Sequence, residues 1–288
     1  MATRLFELQV DSGDETAVDA LARVSGLPKG RLKDAMTKGA TWHKRGSKTR
    51  RLRHATQKLL PGDKLSLYYN ADVLARVPPQ PTLLADEKHY SVWIKPAGLL
   101  AQGSQEGDHC ALLRLAEQIL GRAVYLVHRL DREAAGLMLI AHTPKAAAAL
   151  SALFARQDTA AAIRKCYEVA VRGELPEQGS ITLQLDGKTA LTRYTRLGYD
   201  PDSNSSTVQV ELVTGRKHQI RRHFAASGYP VLGDPLYGDN NKDPRGLQLF
   251  AVSLEFTCPL TRTARRYEWH RENATGLKAV RKPDRAGA

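Results

Sequence analysis

The chain has 288 residues, 42% of them hydrophobic, and its 43 Lys and Arg against 30 Asp and Glu give a formal net charge of +13. That length and apolar content support a sizeable core in one large or two modest domains, and the positive excess points to a polyanionic partner, because Lys and Arg gain affinity by releasing phosphate counterions. No apolar run approaches the roughly 20 residues that span a bilayer, and the three scattered cysteines, Cys110, Cys166 and Cys258, indicate neither a disulfide framework nor a zinc site, so a cytoplasmic protein with reduced thiols is expected.

Residues 1–75 read as a small separate domain. Pro28 sits where a first helical turn tolerates it, Leu32 and Met36 lie one turn apart, and Gly39 suits a helix end, which predicts a helix from about Pro28 to Lys38. Lys44, Arg45, Lys48, Arg50, Arg51 and Arg53 then crowd a basic loop before the turn Pro61-Gly62-Asp63 and the alternating strand Lys64 to Tyr69. This succession resembles the S4-type RNA-binding module, through Gly30-Arg31-Leu32-Lys33 and Leu60-Pro61-Gly62-Asp63. The resemblance implies RNA contacts at Arg31, Lys33, Lys44, Arg45, Arg50, Arg51 and Arg53. The alternative is a solvated charge run.

Residues 76–85 contain Pro78, Pro79 and Pro81 and read as an extended linker. From 86 to 275, apolar runs of strand length fall at Tyr90 to Ile94, Gly136 to Ala141, Tyr167 to Val171, Leu191 to Leu197, Val208 to Val213 and Leu247 to Phe256. Helical stretches lie at Cys110 to Leu120, Lys145 to Phe154 and His218 to Ser227. Strands outnumber helices without alternating strictly with them, which predicts an α+β domain on a largely antiparallel sheet flanked by helices. Residues 276–288 are polar and basic and are expected to form a frayed tail.

Within that domain, Val127-His128-Arg129-Leu130-Asp131-Arg132 places one acid between two arginines. Arg129 and Arg132 are expected to keep Asp131 ionised, as a nucleophile or base requires; the competing reading is a structural salt bridge. Three further segments accompany it: Ile94-Lys95-Pro96-Ala97-Gly98, Arg164-Lys165-Cys166-Tyr167, and Gly215-Arg216-Lys217-His218-Gln219-Ile220-Arg221 running on to Gly233-Asp234-Pro235-Leu236-Tyr237-Gly238. Together they resemble the RluA family of RNA pseudouridine synthases, over roughly residues 85 to 256.

The resemblance implies a uridine isomerase with no cofactor and no metal. It implies Asp131 as the catalytic carboxylate, Tyr167 against the uracil and able to help remove the C5 proton, and Arg221 paired with Asp131, with Arg216 as second candidate. Substrate or RNA contacts are expected at Lys95, Arg129, Arg132, Arg216, Lys217, His218 and Arg222, with Lys95 alternatively bracing the active-site loop. His128 and His218 are expected to be structural or phosphate-facing. Cys166 is read as a strand thiol rather than a nucleophile.

Where the family carries Thr or Ser before the glycine of the Asp motif, this chain has Ala134 and Ala135. That departure motivates an alternative, a non-catalytic RNA-binding or ribosome-assembly factor on a degenerate synthase domain. A metal-dependent phosphodiester hydrolase lacks the carboxylate clusters it needs. The expected partner is RNA, large-subunit rRNA first and tRNA second, with no membrane and a monomeric protein.

Overall fold

The computed structural model describes residues 2–270 apart from 12, 14 and 157–161. The expected basic tail at 276–288 lies outside the described residues. The chain forms two compact units, one of Met1–Pro79 with Leu100–Leu120 and one of Gln80–Leu99 with Gly121–Ala288.

The first unit contains β1 (Arg4–Gln9), α1 (Ala17–Ser25), α2 (Lys29–Thr37), β2 (Thr41–Arg45), β3 (Lys48–Arg51), β4 (Lys64–Tyr69), α3 (Ala71–Leu74) and α4 (Leu112–Leu120). Its four strands form a sheet in the order β1-β4-β2-β3, every pairing antiparallel. Leu21, Leu32, Met36, Leu65 and Leu67 are fully buried between helices and sheet. The helix expected from Pro28 is α2, with Pro28 at its N-cap, where a missing N–H leaves no helical bond unmade.

The expected basic loop is instead the β2–β3 hairpin, with Lys44 opposite Thr49 and Arg45 opposite Lys48. The dense cations hid the strand alternation. Segment 100–120 packs with this unit although its sequence neighbours are those of the second, and it brings an acid: Asp108 accepts from Arg51 Nε at 3.2 Å and from Arg53 Nη2 at 2.5 Å.

The second unit contains β5 (Thr82–Asp86), β6 (Tyr90–Lys95), β7 (Tyr125–Leu126), β8 (Ala135–Ala141), α5 (Pro144–Ala155), β9 (Arg164–Arg172), β10 (Gln178–Leu185), β11 (Lys188–Asp200), β12 (Ser205–Leu212), α6 (Gln219–Ala226), β13 (Leu249–Thr257) and β14 (Ala264–Glu268). Eight strands run β10-β11-β12-β9-β13-β8-β6-β5, with β14 added on β13 and β7 on β8. Among these described strands only β13 and β8 pair in parallel, so the fold is α+β on a largely antiparallel sheet. β5 begins inside the stretch expected to be linker: it is an edge strand, where the preceding prolines need donate nothing to a ladder. β10 escaped sequence reading because most of its side chains are exposed and few are large and apolar.

All seven residues of β8 are buried, and the strand runs through the middle of the sheet. Gly136 near its start has φ 124°, and a Cβ there would collide with the backbone of Ala251 on β13. Two cores flank the sheet: Leu139 and Phe256 cluster with Leu150 of α5, and Val169 and Val208 cluster with Phe224 of α6. The loop before β8, the first half of β9 and the start of α6 converge on one cleft.

Candidate active site

A cavity of about 700 Å³ in the second unit is lined by residues 126–131 and Ala134, the end of α5, Lys165 and Tyr167 of β9, and the Gly215–Arg221 turn into α6. Asp131, Tyr167 and Arg221, all expected at the site, share it.

Arg221 is the fixed point. Its side chain is 1% exposed, and it donates from Nε and Nη2 to Asp234 at 2.7 Å each and from Nη1 to Asp131 at 3.0 Å. The expected pairing with Asp131 is made through one prong, and Asp234 takes the two-pronged bond. Asp234 also accepts from the backbone N–H of Leu236 and Tyr237 at 2.9 and 3.1 Å, so its loop is folded around the carboxylate. Burial opposes the Arg221 charge, but bonds to Asp234 and Asp131 outweigh it and hold the guanidinium above its ordinary pKa. The sequence signal for Asp234 was its place in the Gly-Asp-Pro-Leu-Tyr-Gly segment. Its role was not visible, because no local pattern pairs it with Arg221.

Arg129 and Arg132 do not hold Asp131. Arg129 is exposed and lines the cavity, with no ion-pair partner among the described residues, and Arg132 pairs with Glu133 at 2.9 Å. Neighbours in an extended loop point in different directions, so adjacency in sequence is no guide to pairing. Arg216 lines the cavity without reaching Asp131, its Nη2 donating to Thr189 O at 3.5 Å. Arg222 does not line the cavity and pairs with Asp186 at 3.0 Å.

The loop carrying Asp131 is braced from beneath by Lys95. This side chain is fully buried, and its ammonium donates to the carbonyls of Pro96 (3.0 Å), Leu99 (2.8 Å), Arg132 (3.2 Å) and Ala134 (2.6 Å). Of the two roles expected for Lys95, bracing fits and RNA contact does not. The turn it holds also donates from Gly98 N to Arg132 O at 2.7 Å. These are backbone contacts, so Ala134 and Ala135 leave them intact.

His128 stacks on Phe154 with ring centroids 3.9 Å apart, and its Nε2 accepts from Leu139 N–H at 3.0 Å. Burial pushes it down to about 3, so it is a neutral structural group. His218 caps α6 in the left-handed region (φ 51°), with Nδ1 3.0 Å from the Tyr237 hydroxyl and Nε2 3.8 Å from Asp131. That turn is pinned by Gln219, whose Oε1 accepts from Thr214 Oγ1 (2.7 Å) and Arg216 N (3.0 Å) while its Nε2 donates to Leu191 O and Thr192 Oγ1 (3.0 Å each). Lys217 is exposed on the same turn.

Tyr167 is half-buried, and burial first, then the Asp131 charge, push its phenol above the ordinary value. The neutral phenol offers a flat face and a donor, but it is a poor group for taking up the C5 proton. Cys166 faces the other side of β9, and burial also raises its thiol. Among the described residues no group of three or more His, Cys, Asp and Glu could hold a metal ion.

Residues 89–226 match the family model described as RNA pseudouridylate synthase. That stretch is similar to the RNA pseudouridylate synthase family. The chain is 36% identical over 165 residues to an uncharacterized RNA pseudouridine synthase of Chloroflexus aurantiacus, covering 50% of each. It is 32% identical over 206 residues to ribosomal large subunit pseudouridine synthase D of Nitrosomonas europaea, covering 62% of this chain and 58% of the relative. The matched stretch thus spans little more than half the length of these relatives. Among solved structures, human RNA pseudouridylate synthase domain containing 1 aligns at a TM-score of 0.56 and 20% identity, covering 69% of this chain and 86% of that one. The likeness shows a shared synthase fold, and every segment that builds the cleft except the Asp234 loop and β13 lies inside the matched family region.

Proposed function

We propose that the protein isomerises uridine to pseudouridine in RNA. The observation that carries this reading is the cleft lined by both Asp131 and Tyr167, in which Asp131 accepts from a buried Arg221 that Asp234 locks in place. Isomerisation breaks the C1′–N1 bond, turns the freed uracil and rejoins it through C5. It needs an ionised carboxylate beside the ribose, a surface that retains the base, and no external energy source. Asp131 supplies the carboxylate, by addition to the nucleoside or by removal of a ribose proton. Arg221 orients it through a charge-assisted bond, and Tyr167 borders the uracil.

The base must leave its stack to reach Asp131, at a cost of a few kcal/mol, and exposed Arg129 and Lys217 on the cleft are suited to the phosphates of the extruded strand. The first unit is read as an S4-like RNA-binding domain. Large-subunit rRNA is the first substrate class, in keeping with the name of the Nitrosomonas relative, and tRNA the second. The protein is read as a cytoplasmic monomer. No helix of the described residues is long and apolar enough to cross a membrane.

The test is pseudouridine formation in bulk rRNA and tRNA by the purified protein. Wild type is expected to be active, and Asp131→Asn is expected to lose activity while still binding RNA. A fully active Asp131→Asn removes the assignment, and a wild type that binds RNA but modifies none favours the non-catalytic factor.

A further inference from the structure

Lys165 is a lysine with no use in the mechanism above. It is 7% exposed, lines the cleft, and its ammonium has no hydrogen-bond or ion-pair partner among the described residues. Burial pushes it below its ordinary pKa, with no carboxylate acting in the other direction. An unpaired cation in a protein wall is costly. Such a group is retained where a ligand completes it.

Its position narrows the ligand. Lys165 and Tyr167 are two residues apart on β9, so both side chains leave the same face of the sheet and enter the same cleft. Val127, Phe154 and the stacked ring of His128 line the cleft with it, and Lys165 is close enough to His128 to disfavour charge on the imidazole. Asp131 and Tyr167 line the same cleft as Lys165. A phosphate keeps its water and is better met by the exposed cations Arg129 and Lys217. A lysine buried among apolar groups, on the same strand face as the phenol, suits the carbonyl of a planar base.

We propose that Lys165 is a specificity-determining residue whose ammonium donates a hydrogen bond to the uracil carbonyl opposite the ring atom bonded to ribose. In uridine that carbonyl is C4–O4. When the freed uracil turns about its N3–C6 axis, C5 replaces N1 at the sugar, C2 replaces C4, and O2 arrives where O4 had been. One fixed donor thus serves substrate and product, which keeps the detached base in register without blocking its rotation. Cytosine presents an amino donor at the same point, and lysine has only donors to offer it, so the contact also rejects cytidine. This assignment rests on the uridine-isomerase reading above.

The test uses the full chain and an in vitro transcript of the RNA region found to carry the modified uridine, made with uridine or with 4-thiouridine, whose sulfur is a poorer acceptor at that position. Lys165→Met on the uridine transcript is expected to lower kcat/KM by about tenfold to a hundredfold, the worth of one hydrogen bond from a charged donor. The 4-thio penalty seen with wild type is expected to shrink to near nothing in Lys165→Met, and Lys165→Arg to retain part of it. The melting temperature of Lys165→Met is expected to hold or rise, since an unpaired buried charge is removed. Equal 4-thio penalties in wild type and Lys165→Met, or full activity of that variant, overturn the assignment and leave Asp131 chemistry standing. A wild type that forms no pseudouridine in any RNA overturns the isomerase reading and this assignment with it.

Discussion

Replacing Arg221 with Lys conserves charge and size class, and is expected to be severe. Arg221 donates three bonds to two carboxylates, at 2.7 and 2.7 Å to Asp234 and 3.0 Å to Asp131. A lysine ammonium is a point donor that cannot span both acids. The Asp234 side chain is 0% exposed whereas that of Asp131 is 25% exposed, so desolvation decides which acid keeps the cation: the substituted ammonium stays with Asp234 and Asp131 turns to water. A hydrogen bond to a charged group contributes about 1.5–3 kcal/mol, which converts to a loss of about ten- to 150-fold in kcat if the bond orients the carboxylate throughout the reaction. KM for RNA, governed by phosphate contacts elsewhere, is expected to stay near wild type. Asp234 also loses one of the two bonds it accepts from residue 221, lowering the melting temperature by roughly 2–12 °C. Single-turnover pseudouridine formation and thermal denaturation measure the two effects separately. Wild-type single-turnover rates in Arg221→Lys would refute the argument that the shared guanidinium holds Asp131 for the proposed reaction.

Burial pushes Lys95 down to about 7 from 10.5. Between those values the unfolded chain binds a proton that the folded chain lacks, so this group makes stability rise with pH. Lys95→Met is expected to weaken the protein and to flatten that rise by at most about 2–3 kcal/mol between roughly pH 7.5 and 9.5; urea midpoints showing equal pH slopes in the two proteins count against it. Gly136→Ala is expected to cost about 3 kcal/mol or more, because φ 124° and the Ala251 backbone both exclude a Cβ; an unchanged melting temperature contradicts this. In the first unit, Lys44→Ala and Arg50→Ala, both exposed positions, are each expected to reduce the salt slope of RNA binding by about one with little change in melting temperature. Arg53→Ala, whose guanidinium is bound to Asp108, is expected to lower the melting temperature instead, and the reverse pattern would mean that RNA contacts lie elsewhere.

That last contrast shows where sequence reading ran out. Cations at 44–53 were legible as a group, but which of them face solvent depends on Asp108, which lies more than fifty positions away on a segment whose neighbours belong to the other unit. Arg51 and Arg53 turn inward to it, Arg45 is tied to the buried Asp63 at 2.6 Å, and Arg31, Lys33, Lys44 and Arg50 stay exposed. In the second unit, strands such as β8 and β9 were legible from continuous apolar or β-branched runs. Edge and outlying strands such as β10 were not, since hydrogen bonding to a neighbour builds them with little burial. At the site, the resemblance of the four segments to the synthase family pointed to Asp131, Tyr167 and Arg221. The partner of Arg221 was hidden because one guanidinium has three donor directions, and only the folded loop at 233–238 determines how they are divided.

The division is itself the chemical argument. Had Arg221 gripped Asp131 with both prongs, as a stabilising surface pair would, both carboxylate oxygens would be occupied and the acid would be a poor nucleophile or base. Asp234 takes the two-pronged bond in the fully buried position, so the guanidinium is rigid before RNA arrives and its charge is already balanced. The remaining Nη1 fixes Asp131 Oδ2 alone. Among the described residues, Oδ1 has only the weak approach of His218 Nε2 at 3.8 Å. One oxygen is anchored and the other is left with lone pairs facing the cleft. The isomerisation proposed for this cleft needs that asymmetry, because a reacting oxygen must be oriented by its neighbour without being consumed by it.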